Sequence, residues 1–227
     1  MTDISGKKLL LLAGAGPHCK VVESAREMGI YTVVADYLPD SPAKLIADES
    51  IMNNIFDIDG LVEYGRKNDI DGVLGFCIDP TQKPAQQIAE RLGLPTFGDR
   101  SQVLALTNKK VFKKLCRDSG VDTIPEYTEE DIAAGRIIYP VLVKPSDSRG
   151  SRGCTVCSNQ NDVYEAVCEA KSESSDGKVL IERYMADNQD LTISYLVKDG
   201  VPTLVSLGDR YPGRKEDNLN RQLICTI

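Results

Sequence analysis

The stretch "PVLVKPSDSRGSRG", residues 140–153, decides how the rest of the chain is read. Its first half is an apolar strand that ends on Lys144, and its second half is a run of small, polar and flexible residues. A lysine at a strand end supplies a fixed positive charge. Gly150 and Gly153 let backbone approach a ligand closely, and Ser146, Ser148 and Ser151 add short donors. These are the parts of a polyphosphate cradle, although no G-x-x-x-x-G-K-[ST] run occurs anywhere in the chain. "GCTVCS", residues 153–158, follows as the partner strand. Its Cys154 and Cys157 have metal-like spacing, but no second pair follows, so the expectation is two cysteines on opposite faces of a strand.

Working toward the N-terminus, strand and helix signals alternate. "KLLLLAG" (8–14) reads as a buried parallel strand, and "PHCKVVESAREMG" (17–29) as a helix that Pro17 opens and Gly29 stops. "IYTVVAD" (30–36) and "IDGVLGF" (70–76) are further strands, with helices at "DIDGLVEYGRKN" (57–68) and "PTQKPAQQIAERLG" (80–93). Alternation of this kind predicts an α/β fold, a doubly wound parallel sheet with helices on both faces. "GAGPHC" (14–19), followed by Asp36 at the end of the second strand, offers a second phosphate cradle of dinucleotide-binding type, except that Cys19 stands where the third glycine belongs.

Working toward the C-terminus, "TNKKVFKKLCRDSG" (107–120) reads as a basic amphipathic helix with Val111, Phe112 and Leu115 on one side. "NDVYEAVCEAKSE" (161–173) reads as a helix capped at Asn161 or Asp162, and "KVLIERYM" (178–185) as a strand. "LTISYLVKDGVPTLVSL" (191–207) reads as a hairpin turning at Asp199-Gly200.

Composition narrows the classes. The chain has 227 residues, 41% of them hydrophobic, and a formal charge of −7, a balance unsuited to nucleic-acid phosphates. Its longest apolar run, Leu9 to Ala13, is far short of a bilayer span. Seven scattered cysteines point to reduced thiols and a cytoplasmic setting. The single histidine, His18, leaves no pair of imidazoles for a Ser-His-Asp or two-histidine metal site.

In this order, a lysine-bearing helix, the 140–153 loop, a helix and "VLIERYMADNQDLTISYLV", the chain resembles the ATP-grasp superfamily. The nearest likeness is to its carboxylate-amine ligases and the synthetase domains of the carbamoyl phosphate synthase large subunit. The resemblance implies a pre-ATP-grasp α/β domain over 1–104, a small ATP-grasp subdomain with its glycine-rich loop over 105–186, and the start of the C-terminal subdomain over 187–227. It implies ATP as the nucleotide. Lys109, after Asn108, and Lys144 would reach its phosphates, and the loop from Ser146 through Gly150 and Ser151 to Gly153 would close over them. Glu182 would accept from the adenine amino group, the backbone around Arg183 and Tyr184 would read the ring edge, and Asp190 would contact the ribose.

The implied activity is that of an ATP-dependent ligase: a carboxylate becomes an acyl phosphate that an amine or ammonia attacks, with Mg²⁺ bridging the phosphates. The family's magnesium ligands sit on late strands. They are therefore expected beyond residue 227, no metal ligand is assigned within the chain, and this polypeptide alone is expected not to turn ATP over. The expected partners are small-molecule carboxylates and amines, together with a second copy or a further C-terminal segment pairing with open sheet edges, and neither nucleic acid nor membrane. A non-catalytic nucleotide-binding module and a dinucleotide-dependent oxidoreductase using Asp36 are the alternatives.

Overall fold

The computed structural model describes residues 3–147, 151–185, 190–211 and 222–225. The chain forms two compact units, Met1–Glu182 and Arg183–Ile227.

The first unit begins with β1 (Lys8–Leu12), α1 (Gly16–Glu27), β2 (Tyr31–Asp36), β3 (Glu49–Met52), α2 (Ile58–Lys67), β4 (Gly72–Gly75) and α3 (Gln82–Leu92). The strands make an all-parallel sheet in the order β3-β2-β1-β4. A parallel sheet is covered on both faces, so its central strands are apolar throughout. Alternate side chains of β1 therefore serve two cores. Leu10 and Leu12 pack with Val33, Leu61, Val62 and Ile88. Leu11 packs on the opposite face with Val22, Val34 and Ala43. The expected doubly wound sheet is thus present. β3 was not anticipated, because "ESIM" is too short and too polar to signal a strand by itself.

The carboxyl ends of β1 and β2 are tied together at "GAGPHC". Asp36, buried, accepts from the Gly14 backbone N–H at 2.7 Å and from the Leu38 N–H at 2.8 Å. A Cβ on Gly14 would stand 2.2 Å from Ser41 Oγ, so this glycine is required by packing.

The second half of the first unit contains α4 (Arg100–Thr107), α5 (Lys109–Asp118), β5 (Glu126–Tyr127), α6 (Glu129–Ala133), β6 (Val141–Pro145), β7 (Thr155–Cys157), α7 (Gln160–Ser172) and β8 (Val179–Arg183). The sheet order is β5-β8-β6-β7. The 140–153 stretch and "GCTVCS" pair as expected: β6 and β7 are antiparallel, with Val141 opposite Cys157 and Val143 opposite Thr155. Val141, Val143, Cys157 and Ile181 bury against Val163, Ala166, Val167 and Ala170 of α7. Cys157 is therefore a core residue, while Cys154 precedes β7 and stays partly open.

One expectation is corrected, and one helix buries less than its apolar pattern offers. The cap of α7 is Asn159, whose side chain accepts from the Asp162 N–H at 3.1 Å, because the helix starts one turn-position earlier than its apolar spacing suggests. The apolar side chains of α5 do not enter a core. No residue of α5 is buried, and Phe112 and Leu115 are about half exposed, because this helix borders an open cleft.

The second unit is an antiparallel sheet of β9 (Asp190–Lys198), β10 (Val201–Tyr211) and β11 (Gln222–Cys225), in the order β11-β10-β9. β9 and β10 form the expected hairpin, turning at Asp199 (φ 52°) and Gly200 (φ 77°), the left-handed pair that a tight hairpin turn requires. Among the described residues, no helix is long and apolar enough to cross a membrane.

Candidate functional site

A cleft of about 1320 Å³ opens within the first unit. α5 and the ends of β6 and β8 supply its charged wall, and Phe56, Phe97, Phe112, Leu106 and Val121 are among its apolar lining. Four expected site residues line it: Lys109, Lys144, Ser151 and Glu182.

Local structure explains how they converge. Asn108 accepts from the Lys110 and Val111 N–H groups at 3.1 and 3.2 Å, which caps α5 and fixes where it begins. The Lys109 N–H then donates to the Ser146 carbonyl at 3.0 Å, pinning the start of α5 to the end of β6. Lys144, two residues earlier on β6, is thereby held beside Lys109. Burial first, and the neighbouring Lys144 charge second, push the Lys109 ammonium below its ordinary pKa.

Glu182 is 1% exposed. A buried carboxylate is costly unless charge and hydrogen bonds compensate it. Lys144 Nζ lies 2.6 Å from its Oε2, and Lys113 Nζ lies 2.6 Å from its Oε1. The second contact is an ion pair without hydrogen-bond alignment, so among the described residues no donor is aimed at the buried Oε1.

Lys113 and Glu126 were not singled out from the sequence. Lys113 also reaches Glu126 Oε1 at 3.1 Å, and Arg117 reaches that same oxygen at 3.1 Å. Burial works against the Glu126 charge, but hydrogen bonds and charge from Lys113, and then from Arg117, outweigh it and hold its carboxyl below the usual range. The available signal was spacing: Lys109, Lys113 and Cys116 fall at i, i+4 and i+7 on one stripe of α5, and all three line the cleft.

The rest of the expected set is distributed differently. Ser146 is fully buried, and its hydroxyl donates to Asp176 Oδ1 at 2.6 Å, so it is not brought to the cleft. Ser151 does line the cleft, at a positive φ of 58°. Gly153 (φ 64°) is required sterically, since a Cβ there would stand 3.0 Å from Pro145 Cγ and 3.2 Å from Glu173 Cβ. Gly150 and Ser148 lie outside the described residues. Arg183, Tyr184 and Asp190 belong to the second unit, where Arg183 and Tyr184 are exposed and Asp190 begins β9.

A polar knot joins the end of β6 to the turn before β8. Asp147 accepts from Ser174 Oγ at 3.0 Å and from the Ser175 N–H at 3.1 Å. Asp176 accepts from Ser146 Oγ, from Ser174 Oγ at 2.8 Å and from the Lys178 N–H at 2.9 Å. The Ser146 hydrogen bond is the main reason the Asp176 carboxyl titrates at about 2. Its folded value lies below the unfolded one, so the knot contributes stability that is complete above the unfolded carboxylate range and is lost as pH falls through about 2. Carboxyl NMR titration of Ser146→Ala should show the Asp176 midpoint rising toward the ordinary range; an unmoved midpoint would assign the depression to other donors.

The cleft fits a nucleoside polyphosphate in charge and shape: two lysines for anionic oxygens, an unsaturated buried acceptor for an amino group, and an apolar lining for a flat ring. Among the described residues, no group of three His, Cys, Asp or Glu side chains is arranged to hold a metal ion.

Comparison with known proteins gives four findings. Residues 99–213 match the family model described as carbamoyl-phosphate synthase L chain, ATP binding domain. The 2-oxoglutarate carboxylase small subunit of Hydrogenobacter thermophilus is 27% identical over 225 residues, covering 90% of this chain and 48% of that protein. A formate-dependent phosphoribosylglycinamide formyltransferase of Sulfurisphaera tokodaii is 25% identical, covering 87% and 52%. The solved biotin carboxylase domain dimer of the Hydrogenobacter enzyme, in complex with MgADP, ADP and bicarbonate, superposes with a TM-score of 0.79 at 22% identity, covering 92% of this chain and 51% of that one. The chain spans about half the length of the relatives it matches.

Proposed function

We propose, from the premise that this chain belongs to the carbamoyl-phosphate synthase L chain ATP-binding domain family within the ATP-grasp proteins, that its cleft binds ATP and serves an ATP-dependent ligase that activates a carboxylate for attack by an amine or ammonia. The observation that carries the reading is Glu182, a carboxylate buried between Lys144 and Lys113 with Oε1 left without an aligned donor. An adenine amino group is a donor of the kind this oxygen lacks. Lys109 and Lys144 stand on the same wall to receive phosphate oxygens. The MgADP in the solved biotin carboxylase domain supports the same ligand class.

When bound, ATP supplies the phosphoryl group that turns a carboxylate into an acyl phosphate. The chain's own contribution is positioning and charge: Lys109 and Lys144 neutralise phosphate, Glu182 orients the base, and Ser151 adds a short donor to the cleft lining. In this reading 1–104 contributes to the acceptor region, 105–186 is the small ATP-grasp subdomain and 187–227 is the start of the second.

The dinucleotide reading loses support because Asp36 is buried and its carboxylate ties the Gly14 and Leu38 N–H groups together within the fold. Calorimetric titration with ATP and with NAD separates the two. Saturable ATP binding is expected. NAD binding that disappears in Asp36→Ala, with no ATP binding, would overturn the proposal.

A further inference from the structure

We infer that Lys113 is a positioning residue that gives the nucleotide site its preference for an amino-bearing base, by neutralising Glu182 without satisfying its Oε1. The inference rests on the reading of the cleft as a nucleotide site and assigns a role to a residue outside the set that the sequence motifs mark.

Glu126 and Glu182 are register partners across the antiparallel β5–β8 pair. Like charges directly opposite each other on neighbouring strands repel. Lys113, from α5, bridges them: Nζ lies 3.1 Å from Glu126 Oε1 and 2.6 Å from Glu182 Oε1. Arg117, one turn further along α5, completes an alternating row of Arg117, Glu126, Lys113, Glu182 and Lys144.

An ammonium has only three N–H groups to donate. Lys113 directs one at the Ile124 carbonyl, 3.0 Å away, and shares another with Glu126. With its side chain 11% exposed, Lys113 is held in place by these bonds and cannot swing freely. The third N–H is not aligned on Glu182 Oε1, which among the described residues receives the charge of Lys113 but no hydrogen bond.

Such an oxygen discriminates between ligands by their donors. A base presenting an amino group completes it, whereas a base presenting a carbonyl at the same position sets two acceptors against each other and leaves both desolvated. The selectivity belongs to the row rather than to Glu182 alone: Glu126 keeps Lys113 from saturating Oε1, and Lys113 keeps the two carboxylates from parting.

The test is calorimetric titration of the full chain with ATP, with ITP (the same nucleotide carrying a 6-oxo group in place of the amino group) and with inorganic tripolyphosphate. Wild type should prefer ATP over ITP by at least about 10-fold. In Lys113→Met that ratio should fall to within about 3-fold, while tripolyphosphate affinity stays at the wild-type value, which also reports that the variant is folded. Glu126→Gln should keep the fold and lower the ratio, because it frees Lys113 to align on Glu182.

A Lys113→Met protein with the wild-type ATP/ITP ratio, or one that loses tripolyphosphate in step with ATP, would overturn the inference, as would an unchanged ratio in Glu126→Gln. Wild type that binds ATP and ITP equally would overturn it while leaving the nucleotide site standing. Wild type that binds neither nucleotide would overturn the reading of the cleft, and this inference with it.

Discussion

Lys144→Ala should weaken ATP binding about 10- to 100-fold, the equivalent of one charge-assisted contact worth about 1.5–3 kcal/mol. Lys144 lines the cleft from the last turnable position of β6, with 18% of its side chain exposed. It is therefore desolvated enough for its charge to count and open enough to meet a ligand. The substitution has a second consequence that a surface lysine would not produce. Lys109 is held below its ordinary pKa first by burial and then by Lys144, so removing Lys144 should let the Lys109 ammonium titrate closer to the usual lysine range. Calorimetry reads the first effect and NMR of the lysine side-chain amines reads the second. Equal ATP affinity in both proteins would remove Lys144 from the proposed site. A lost affinity with an unmoved Lys109 would instead mean that the two ammoniums act independently.

What could be read from the sequence was the part carried by local pattern. Alternating apolar strands and capped helices gave the parallel sheet, since Leu10, Leu11 and Leu12 can all be buried only in a strand covered on both faces. Lys109, Lys144 and Glu182 were legible because each stands beside a recognisable local feature: a capped helix start, a strand end before a glycine-rich loop, and an acid within an apolar strand.

The rest depended on partners far apart in the chain. Ser146 looks like a loop donor until Asp176, 30 residues on, takes its hydroxyl. Lys113 looks like one more solvated lysine of a basic helix, because nothing within α5 marks it. Its meaning comes from Glu126, on a strand of only two residues that no periodicity could reveal, and from the register that sets Glu126 opposite Glu182. Gly153 was read as freedom for a phosphate, but the contacts at Pro145 and Glu173 give it a steric reason as well.

Glu182→Gln should lower the stability of the protein by about 3 kcal/mol, the low end of the range for breaking a buried ion pair by removing one partner. The low end applies because the two lysines are not equally bereft. Lys113 keeps Glu126 and the Ile124 carbonyl, whereas Lys144 loses the carboxylate 2.6 Å from its ammonium. For a chain of this size the loss corresponds to a melting temperature lower by about 6–12 °C. The magnitude alone would not distinguish an ion-pair effect from disturbed packing, so the deciding protein is the double variant Glu182→Gln with Lys144→Met. If the cost comes from leaving the Lys144 charge buried and unpaired, replacing that lysine with an apolar side chain of similar length removes the unpaired charge, and the double variant should melt above Glu182→Gln alone. A double variant that melts at or below the single one would show that Glu182 stabilises the first unit through packing against β5 and β6, and that the charge row across the cleft contributes to ligand choice without holding the fold together.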